Sequence, residues 1–412
     1  MRKEWLLAMC AAAMMASCAK DKTIALDNGA DGTPEEIILG AGQYLSAEVE
    51  QGKPMKAASR GIGSVGDLAT ENNWNGETVY VYGIAGTLTG DAQFAINGEA
   101  ATAPAGTKGA TVTSTLAWAT ANKHFYYDGN NLYDFYGCHV DDAAEATAMK
   151  IPTRTDLATN GFSVPVEING TQDLMVAVPN KESDRTATGV DSEVTDVNNL
   201  YSAWSSRRGV VPNLVFKHVL TRLTFQAKCG NAVAYEDGKE VYITSVQVVD
   251  AKNKGTLTII PTEGNQQVFT ASDVPEDKAD FSLMQGPKDP GVSKELASFE
   301  EVKITGSKDD DFVQIGVPMM LVPGGEYYVV IKTKQDADGD GQFEEDEQVL
   351  DPVPVKIAVT DGFKAGYNYN VKLTVYGLEH IDIDATLTAW ENGEDIEIDP
   401  DDINPPTPSP AP

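Results

Sequence analysis

Short runs rich in Val, Ile, Tyr, Phe and Thr recur from about residue 78, separated by Gly, Pro and Asp. In the first half they fall at 78–84, 124–127, 132–140 and 174–178. In the second half they fall at 214–227, 240–249, 256–260, 312–317, 326–334, 353–359 and 367–376. Runs of this length and composition, bounded by turn residues, predict β-strands. The clearest alternation comes near the end. Ile381, Ile383, Ala385, Leu387 and Ala389 share one face, and Asp382, Asp384, Thr386 and Thr388 the other. A second, shorter alternation, Ile396 and Ile398, follows the turn signal Asn392-Gly393. One earlier β-like run spans 36–49, ahead of a small, polar, basic stretch at 51–61. The composition of that stretch predicts an exposed, easily cut loop. Helical spacing occurs at 195–205, where Leu200 and Trp204 are i, i+4 neighbours. Many short strands and few helices predict an all-β chain of the sandwich or barrel kind. Arg207-Arg208-Gly209 marks a boundary near 210, and the proline-rich residues from 400 predict an extended tail.

The first residues change the picture from a soluble β-protein to an exported one. Arg2 and Lys3 precede an apolar run, 5–16, that is too short to span a bilayer. Met15-Ala16-Ser17-Cys18 then brings small residues to a cysteine. This is the layout of a secretory signal. The cysteine at the junction makes it a lipoprotein signal, with cleavage after residue 17 and a diacylglyceryl group on the Cys18 thiol. The alternative is an ordinary secretory signal with an incidental cysteine. Several acyl chains, at about 0.8 kcal/mol per buried methylene, hold a protein on a membrane. No later run is long and apolar enough to span one.

A formal net charge of −31 argues against nucleic acid as a partner, because phosphates demand a basic patch. It favours a self-repelling, soluble surface. Beyond the signal only Cys138 and Cys229 remain, as a pair or as buried thiols, so this is not a disulfide scaffold.

The sharpest chemical motif is Asp336-Ala337-Asp338-Gly339-Asp340-Gly341, closed by Glu347. It fits the twelve-residue calcium loop, D-x-[DN]-x-[DN]-G-x5-E. Calcium takes six to eight hard oxygen ligands. Asp336, Asp338 and Asp340 supply carboxylates, Gln342 its backbone carbonyl, Glu344 a contact through water, and Glu347 two oxygens. Gly341 allows the sharp turn, and Phe343 is an apolar anchor. Strand-like flanks place the loop in a hairpin rather than between helices. The alternative is an acidic, solvated turn. If occupied, the site is structural. Gly61, Gly63 and Gly66 match a glycine-rich phosphate pattern, but no strand precedes them and no helix follows, so they read as a loop. His124, His139, His218 and His380 show no ligand spacing, and His218 reads as a satisfied core or interface residue. No nucleophile elbow, phosphate loop or acid–base pair appears, so the chain does not read as an enzyme. Trp74, Trp118, Trp204 and Trp390 are core residues or, alternatively, sugar-stacking platforms. Arg60-Gly61 offers a site to a trypsin-like protease, or is one more linker arginine.

Two segments resemble a known family. The segment 214–225, with Phe216, His218, Leu220, Arg222 and Leu223, is similar to the F-x-H-x-L-x-[RK]-L stretch of the fimbrillin family of Bacteroidetes. Lys364-Ala365-Gly366-Tyr367-Asn368-Tyr369, followed by 381–390 and Glu391-Asn392-Gly393, looks like that family's closing G-x-x-Y strand and T-x-x-W-x-x-G ending. The lipoprotein signal and the arginine in a small-residue loop complete the resemblance, which covers essentially the whole chain. It implies a subunit of a type V pilus, built as two transthyretin-like β-sandwich domains in tandem. The implied layout is a signal peptide (1–17), a pro-segment with a removable first strand (18–60), an N-terminal sandwich (61–210), a C-terminal sandwich with candidate donor strands (211–399) and a proline-rich tail (400–412). It also implies an outer-membrane lipoprotein precursor that an arginine-specific protease cuts between Arg60 and Gly61. The vacated groove then accepts a strand from a neighbouring pilus subunit, and adhesive fimbriae grow. The run at 36–49 is the strand-like part of the segment to be lost, and 381–389 and 396–398 are the candidate donors. Two departures qualify the match. The tail from 404 is rich in proline, which cannot donate ladder hydrogen bonds. Cys18 is followed by Ala19-Lys20-Asp21-Lys22 rather than by an acidic run. The second reading is a monomeric surface lipoprotein that keeps its lipid and binds a glycan or a host protein.

Overall fold

Alternation at period two becomes two-faced strands. In Phe162–Glu167 the side chains of Phe162, Val164 and Val166 are buried, while Ser163, Pro165 and Glu167 are exposed. In Val241–Lys252 the buried set changes parity between Ile243 and Val246, because a bulge shifts the register between Ile243 and Ser245. The computed structural model describes residues 34–43, 76–86, 93–103, 114–120, 122–126, 131–152, 157, 160–231, 238–262, 264–287, 296–304, 312–349, 352–378 and 381–388. The chain is all-β, with only short helices beside the strands.

The first half forms most of an eight-stranded sheet. Its order is Ser114–Thr115, Gly40–Gln43, Asn213–His218, Met175–Pro179, Tyr133–His139, Thr78–Ala85, Gln93–Thr102, Ala117–Trp118. Neighbours are antiparallel except Gly40–Gln43, which runs parallel to Asn213–His218. One face carries Val79, Val81, Phe135, Ala177, Leu214 and Phe216 in a core completed by Leu200, Tyr201 and Ala203. The other face carries Tyr82, Ile84, Cys138 and Val176 in a larger core shared with the second half, including Leu257, Ile259 and Phe281.

Among the described residues the second half contributes to four further sheets, the smallest being Met284–Pro287 paired with Leu296–Ser298. Thr221–Cys229 runs parallel to Asn368–Val375, which pairs antiparallel with Ile381–Thr388. Val241–Lys252 lies between Lys278–Ser282 and Glu326–Gln335. A three-stranded sheet joins the halves: Lys254–Ile260 pairs with Phe269–Ala271 on one side and with Phe162–Glu167 on the other.

Several sequence expectations shift. The run at 214–227 is two strands in different sheets, broken at Val219 and Leu220, both buried where the chain crosses between sheets. Asn213–His218 therefore belongs with the first half, and the change of sheet comes some ten residues after the boundary expected near 210. The helix expected at 195–205 is a 3-10 turn, Val197–Asn199, and a separate short helix, Ala203–Ser206. Ser202 caps the second piece by accepting from Ser205 N–H, which restarts the helix there. Among the described residues the run at 124–127, of which 127 lies outside them, makes one isolated bridge, Glu36 to Phe125.

Gln93–Thr102 escapes sequence detection because Asn97-Gly98 reads as a turn. It is instead a bulge opposite Val81 and Tyr82. Gly98 has φ +57, and a Cβ there would lie 2.0 Å from the Met149 carbonyl oxygen, so only glycine fits. Cys138 and Cys229 are both buried thiols, not joined by a disulfide. Among the described residues no helix is long and apolar enough to cross a membrane.

Candidate functional site

The segment 34–43 ends in a strand, Gly40–Gln43, that lies second in the eight-stranded sheet, paired with Asn213–His218 on one side and, through Gly40 and Ala41, with Ser114–Thr115 on the other. Gly40 N–H donates to Pro212 O (3.0 Å), and Leu116 N–H to Leu39 O (2.9 Å). Ile37 N–H donates to His124 O (2.8 Å), and Tyr126 N–H to Glu35 O (2.9 Å). Period-two spacing turns Ile37, Leu39 and Ala41 inward, where they are 0%, 1% and 0% exposed, while Ile38 between them is 44% exposed. The three inward residues share a core with Tyr126, Phe135 and Phe216. Ser206 Oγ donates to Glu35 Oε1 at 2.7 Å and fixes the segment's entry.

The floor of this seat is held by a buried carboxylate. Asp184 Oδ2 accepts from Tyr201 Oη (2.7 Å) and from Asn213 N–H (2.9 Å), and Asn213 is the strand residue opposite Gly40. Burial pushes the Asp184 carboxyl up to about 6, against the two hydrogen bonds that favour its charge. Without 34–43, Asn213–His218 would have one bare edge above an apolar trough. Ser114–Thr115 would have no strand partner among the described residues. Unpaired backbone groups beside exposed apolar surface make a receptive site for another strand.

The acidic motif lies in a hairpin between Glu326–Gln335 and Gln348–Val349, as its flanks predicted. Carboxylate oxygens of Asp336, Asp338 and Asp340 come within 4.8 Å of one another. Asp336 Oδ1 accepts from Gly339 and Asp340 N–H (2.7 and 3.1 Å), and Oδ2 from Gly341 N–H (2.7 Å). Gly341, at φ +85, turns the chain at the sixth loop position. Glu347 Oε1 accepts from Ala337 N–H at 2.6 Å, which draws the twelfth position back to the second. Gln342 N–H donates to Asp340 Oδ1 at 2.8 Å. Glu344 and Glu347 are hydrogen-bonded to each other, which raises the Glu344 carboxyl and lowers that of Glu347. The aromatic ring of Phe343 packs on Tyr242 (5.8 Å between centroids) under the Lys334 ammonium (4.1 Å). Cys18, Arg60 and Gly61 lie outside the described residues, as does 396–398.

The Fimbrillin-like family model matches residues 69–390. This chain belongs to that family. As a fimbrillin-like protein it is a non-enzymatic fimbrial subunit of the cell surface that associates with other pilus subunits. Solved structures similar in fold include a fimbrial protein from Bacteroides vulgatus (11% identity, 86% of this chain, 99% of that one, TM-score 0.42). Another is the tip fimbrial protein Mfa3 from Porphyromonas gingivalis with C-terminal truncation (7% identity, 86% and 99%, TM-score 0.31). A third is a candidate cell adhesion protein from Bacteroides ovatus (10% identity, 88% and 99%, TM-score 0.47). No curated protein matches the sequence.

The fimbrillin-like chain also carries a buried ionic network that its histidine spacing does not announce. His218 Nδ1 lies 2.9 Å from Asp173 Oδ1, with both groups buried. His139, on the same end of the sheet, has Nδ1 2.7 Å from Thr78 O and Nε2 3.1 Å from Asp141 Oδ1. Both neighbours only accept, so as an imidazolium the ring donates from Nδ1 to Thr78 O and faces the Asp141 carboxylate as an ion pair. Burial pulls its pKa down, but the Asp141 carboxylate, the Thr78 carbonyl and Asp173 outweigh burial and hold it at about 9. Asp173 N–H donates to Asp141 Oδ2 at 2.8 Å and links the two pairs. His218 is thus the satisfied core residue its strand position implied. His139 gave no signal, because its partners Thr78 and Asp141 arrive from a neighbouring strand and a following turn.

Proposed function

We propose that this subunit polymerises by replacing its own first strand with a strand from a neighbouring subunit. An arginine-specific protease cuts between Arg60 and Gly61. Residues 18–60 then leave with the lipid carried on Cys18, which had brought the precursor to the outer membrane. The observation that carries this reading is the seat itself: Ile37, Leu39 and Ala41 are core residues leading into and within a sheet strand, contributed from the N-terminal side of Arg60. Strand addition of this kind is head-to-tail and does not close, so it builds a filament. The filament then presents the subunits for adhesion.

Of the two donor candidates, Ile381–Thr388 is already paired along its length with Asn368–Val375, and Ile381, Ile383 and Ala385 pack on its own core. Its release would open a second edge in the donor. The donor is therefore assigned to the following segment, where Ile396 and Ile398 repeat the spacing of Ile37 and Leu39. Digestion of the soluble precursor, residues 19–412, with an arginine-specific protease is expected to give a new N-terminus at Gly61 and heat-labile ladders on unboiled gels. A resistant Arg60, or a monomer after clean cleavage, would sink the proposal.

The acidic hairpin is proposed to hold one Ca2+ in a structural role, with Asp336, Asp338, Asp340, Gln342, Glu344 and Glu347 as ligands. The support is the fit of the donor set: three converging Asp carboxylates, a turn glycine at the sixth position and a glutamate drawn to the loop's start. A cation would relieve repulsion among these carboxylates and pin the hairpin. Calorimetric titration is expected to show one calcium site that Asp340→Ala removes. No heat of binding at about millimolar calcium, the weak end of such loops, would reject it.

A further inference from the structure

The geometry points to Asp184 as a positioning residue for the strand that fills the seat: through the peptide joining Pro212 to Asn213, it primes the Pro212 carbonyl on which that strand starts. Met175–Pro179 pairs with the receiving strand, Asn213–His218, up to Pro179 opposite Leu214. The same register carried one step further would set Asn180 opposite Asn213. Asn180 instead caps the short helix Lys181–Arg185, and its carbonyl accepts from Asp184 N–H at 2.9 Å. Asp184 Oδ2 takes the vacant place and accepts from Asn213 N–H at 2.9 Å. Across the same peptide, Pro212 O accepts from Gly40 N–H at 3.0 Å. Carboxylate, peptide and Gly40 N–H thus form one chain of hydrogen bonds running through the receiving strand.

The relay gives strength, and Pro212 gives register. A hydrogen bond to an ionised acceptor is roughly twice as strong as a neutral one. A peptide whose N–H is held by an anion carries a more negative carbonyl oxygen, so the next bond in the chain strengthens too. Slipping the incoming strand by one residue would turn Ile37, Leu39 and Ala41 outward, but slipping by two keeps them inward. The apolar pattern alone therefore does not fix the register. A two-residue slip toward the start of the receiving strand sets the Gly40 carbonyl against Pro212, which has no N–H to give. A slip of two the other way carries Glu35 into the place of Ile37, against apolar core. The strand accordingly begins at Gly40.

The groups around Asp184 leave its charge to this task. Tyr201 Oη, kept protonated by burial, donates to the same Oδ2 at 2.7 Å. On the helix, Arg185 pairs with Glu182, and Lys181 lies 3.9 Å from Asp134 and 5.7 Å over the Tyr201 ring. Asp196 caps the exposed turn Val197–Asn199. Burial raises the carboxyl of Asp134 as it does that of Asp184.

The test uses the uncut soluble chain, residues 19–412, and follows the amide resonances of Asn213 and Gly40 from about pH 4.5 to 7.5. Both are expected to move with one midpoint near the Asp184 value of about 6. Asp184→Asn keeps an acceptor but loses the charge, and should hold both still. Asp184→Leu removes the acceptor and should speed amide exchange at Gly40 by about tenfold or more. Thr78–Ala85 should keep its protection in that variant, and Asp184→Asn should retain most of the protection at Gly40. An Asn213 resonance that moves while Gly40 stays overturns the relay. So does a titration that persists in Asp184→Asn, which assigns it to Asp134, or a Leu variant that loses protection evenly across the sheet. If the Leu variant does not fold, the titration of wild type against Asp184→Asn decides alone. For a neighbour's strand the role rests on the strand replacement proposed above, but no cleavage enters the readout. A resistant Arg60 leaves the titration standing, and a failed relay leaves the ladders standing.

Discussion

Leu39→Asp is expected to release the first segment from its sheet with no proteolysis at all. Ile37 and Leu39 are essentially fully buried, and such side chains contribute roughly 1.5–3 kcal/mol each. With Ala41 and the backbone bonds to Pro212, His124 and Leu116, docking is worth roughly 5 kcal/mol. A carboxylate in place of Leu39 removes the apolar gain and adds a desolvation cost of several kcal/mol, so the docked state loses. Amide exchange at residues 37–41 should rise to the rate of an open chain, while the second half keeps its protection. The uncut variant should then form ladders that the uncut wild type does not. If Leu39→Asp stays monomeric while the cut wild type polymerises, the seat is not what the protease uncovers.

The second large effect belongs to His139. Its folded pKa of about 9 lies above the ordinary value of 6.5. A basic group raised on folding binds its proton more tightly in the folded state. Its stabilisation is therefore complete below pH 6.5 and is lost as pH rises through about 9. The difference corresponds to about 3 kcal/mol, comparable to breaking one partner out of a buried ion pair. Urea unfolding of wild type and His139→Gln from about pH 6 to 10 should show a gap that is widest at the acid end. The gap should narrow above pH 9. Asp141→Asn should flatten the dependence, because the ring then loses its carboxylate. A gap that stays constant across this range would mean the ring is neutral and the hydrogen bonds alone matter.

The parts that were legible in the sequence were those whose signal is local. Short runs rich in β-branched and aromatic residues, bounded by turn residues, located Thr78–Ala85, Tyr133–His139, Glu326–Gln335 and Asn368–Val375 to within a residue or two. The acidic hairpin was legible as a turn between strands, since its carboxylates, its turn glycine and its first strand flank lie within one short stretch, although the strand that closes it, Gln348–Val349, lies ahead of the expected run at 353–359. The run at 36–49 announced the first strand, although the described pairing covers only Gly40–Gln43. Gln93–Thr102 was missed because a bulge glycine looks like a turn glycine until its neighbours are in place. The run at 214–227 read as one strand because a crossover between sheets leaves no polar mark when the crossing residues are themselves buried.

The sequence by itself therefore determined the all-β class, the acidic loop and, through the resemblance of 214–225 and 364–393, the fimbrial role. Only the tertiary structure decided where each strand sits. Ile37, Leu39 and Ala41 could have formed a dispensable edge; burial against Tyr126, Phe135 and Phe216, with sheet pairing from Gly40 onward, makes them core. The sequence left 381–389 and 396–398 as equal donor candidates; the structure adds that Ile381–Thr388 is paired along its length with Asn368–Val375. His139 and Asp184 carried no pattern at all. Alternation is a property of neighbours along the chain, whereas strand order and buried charge pairs come from residues far apart in sequence, and those exist only once the sheets have assembled.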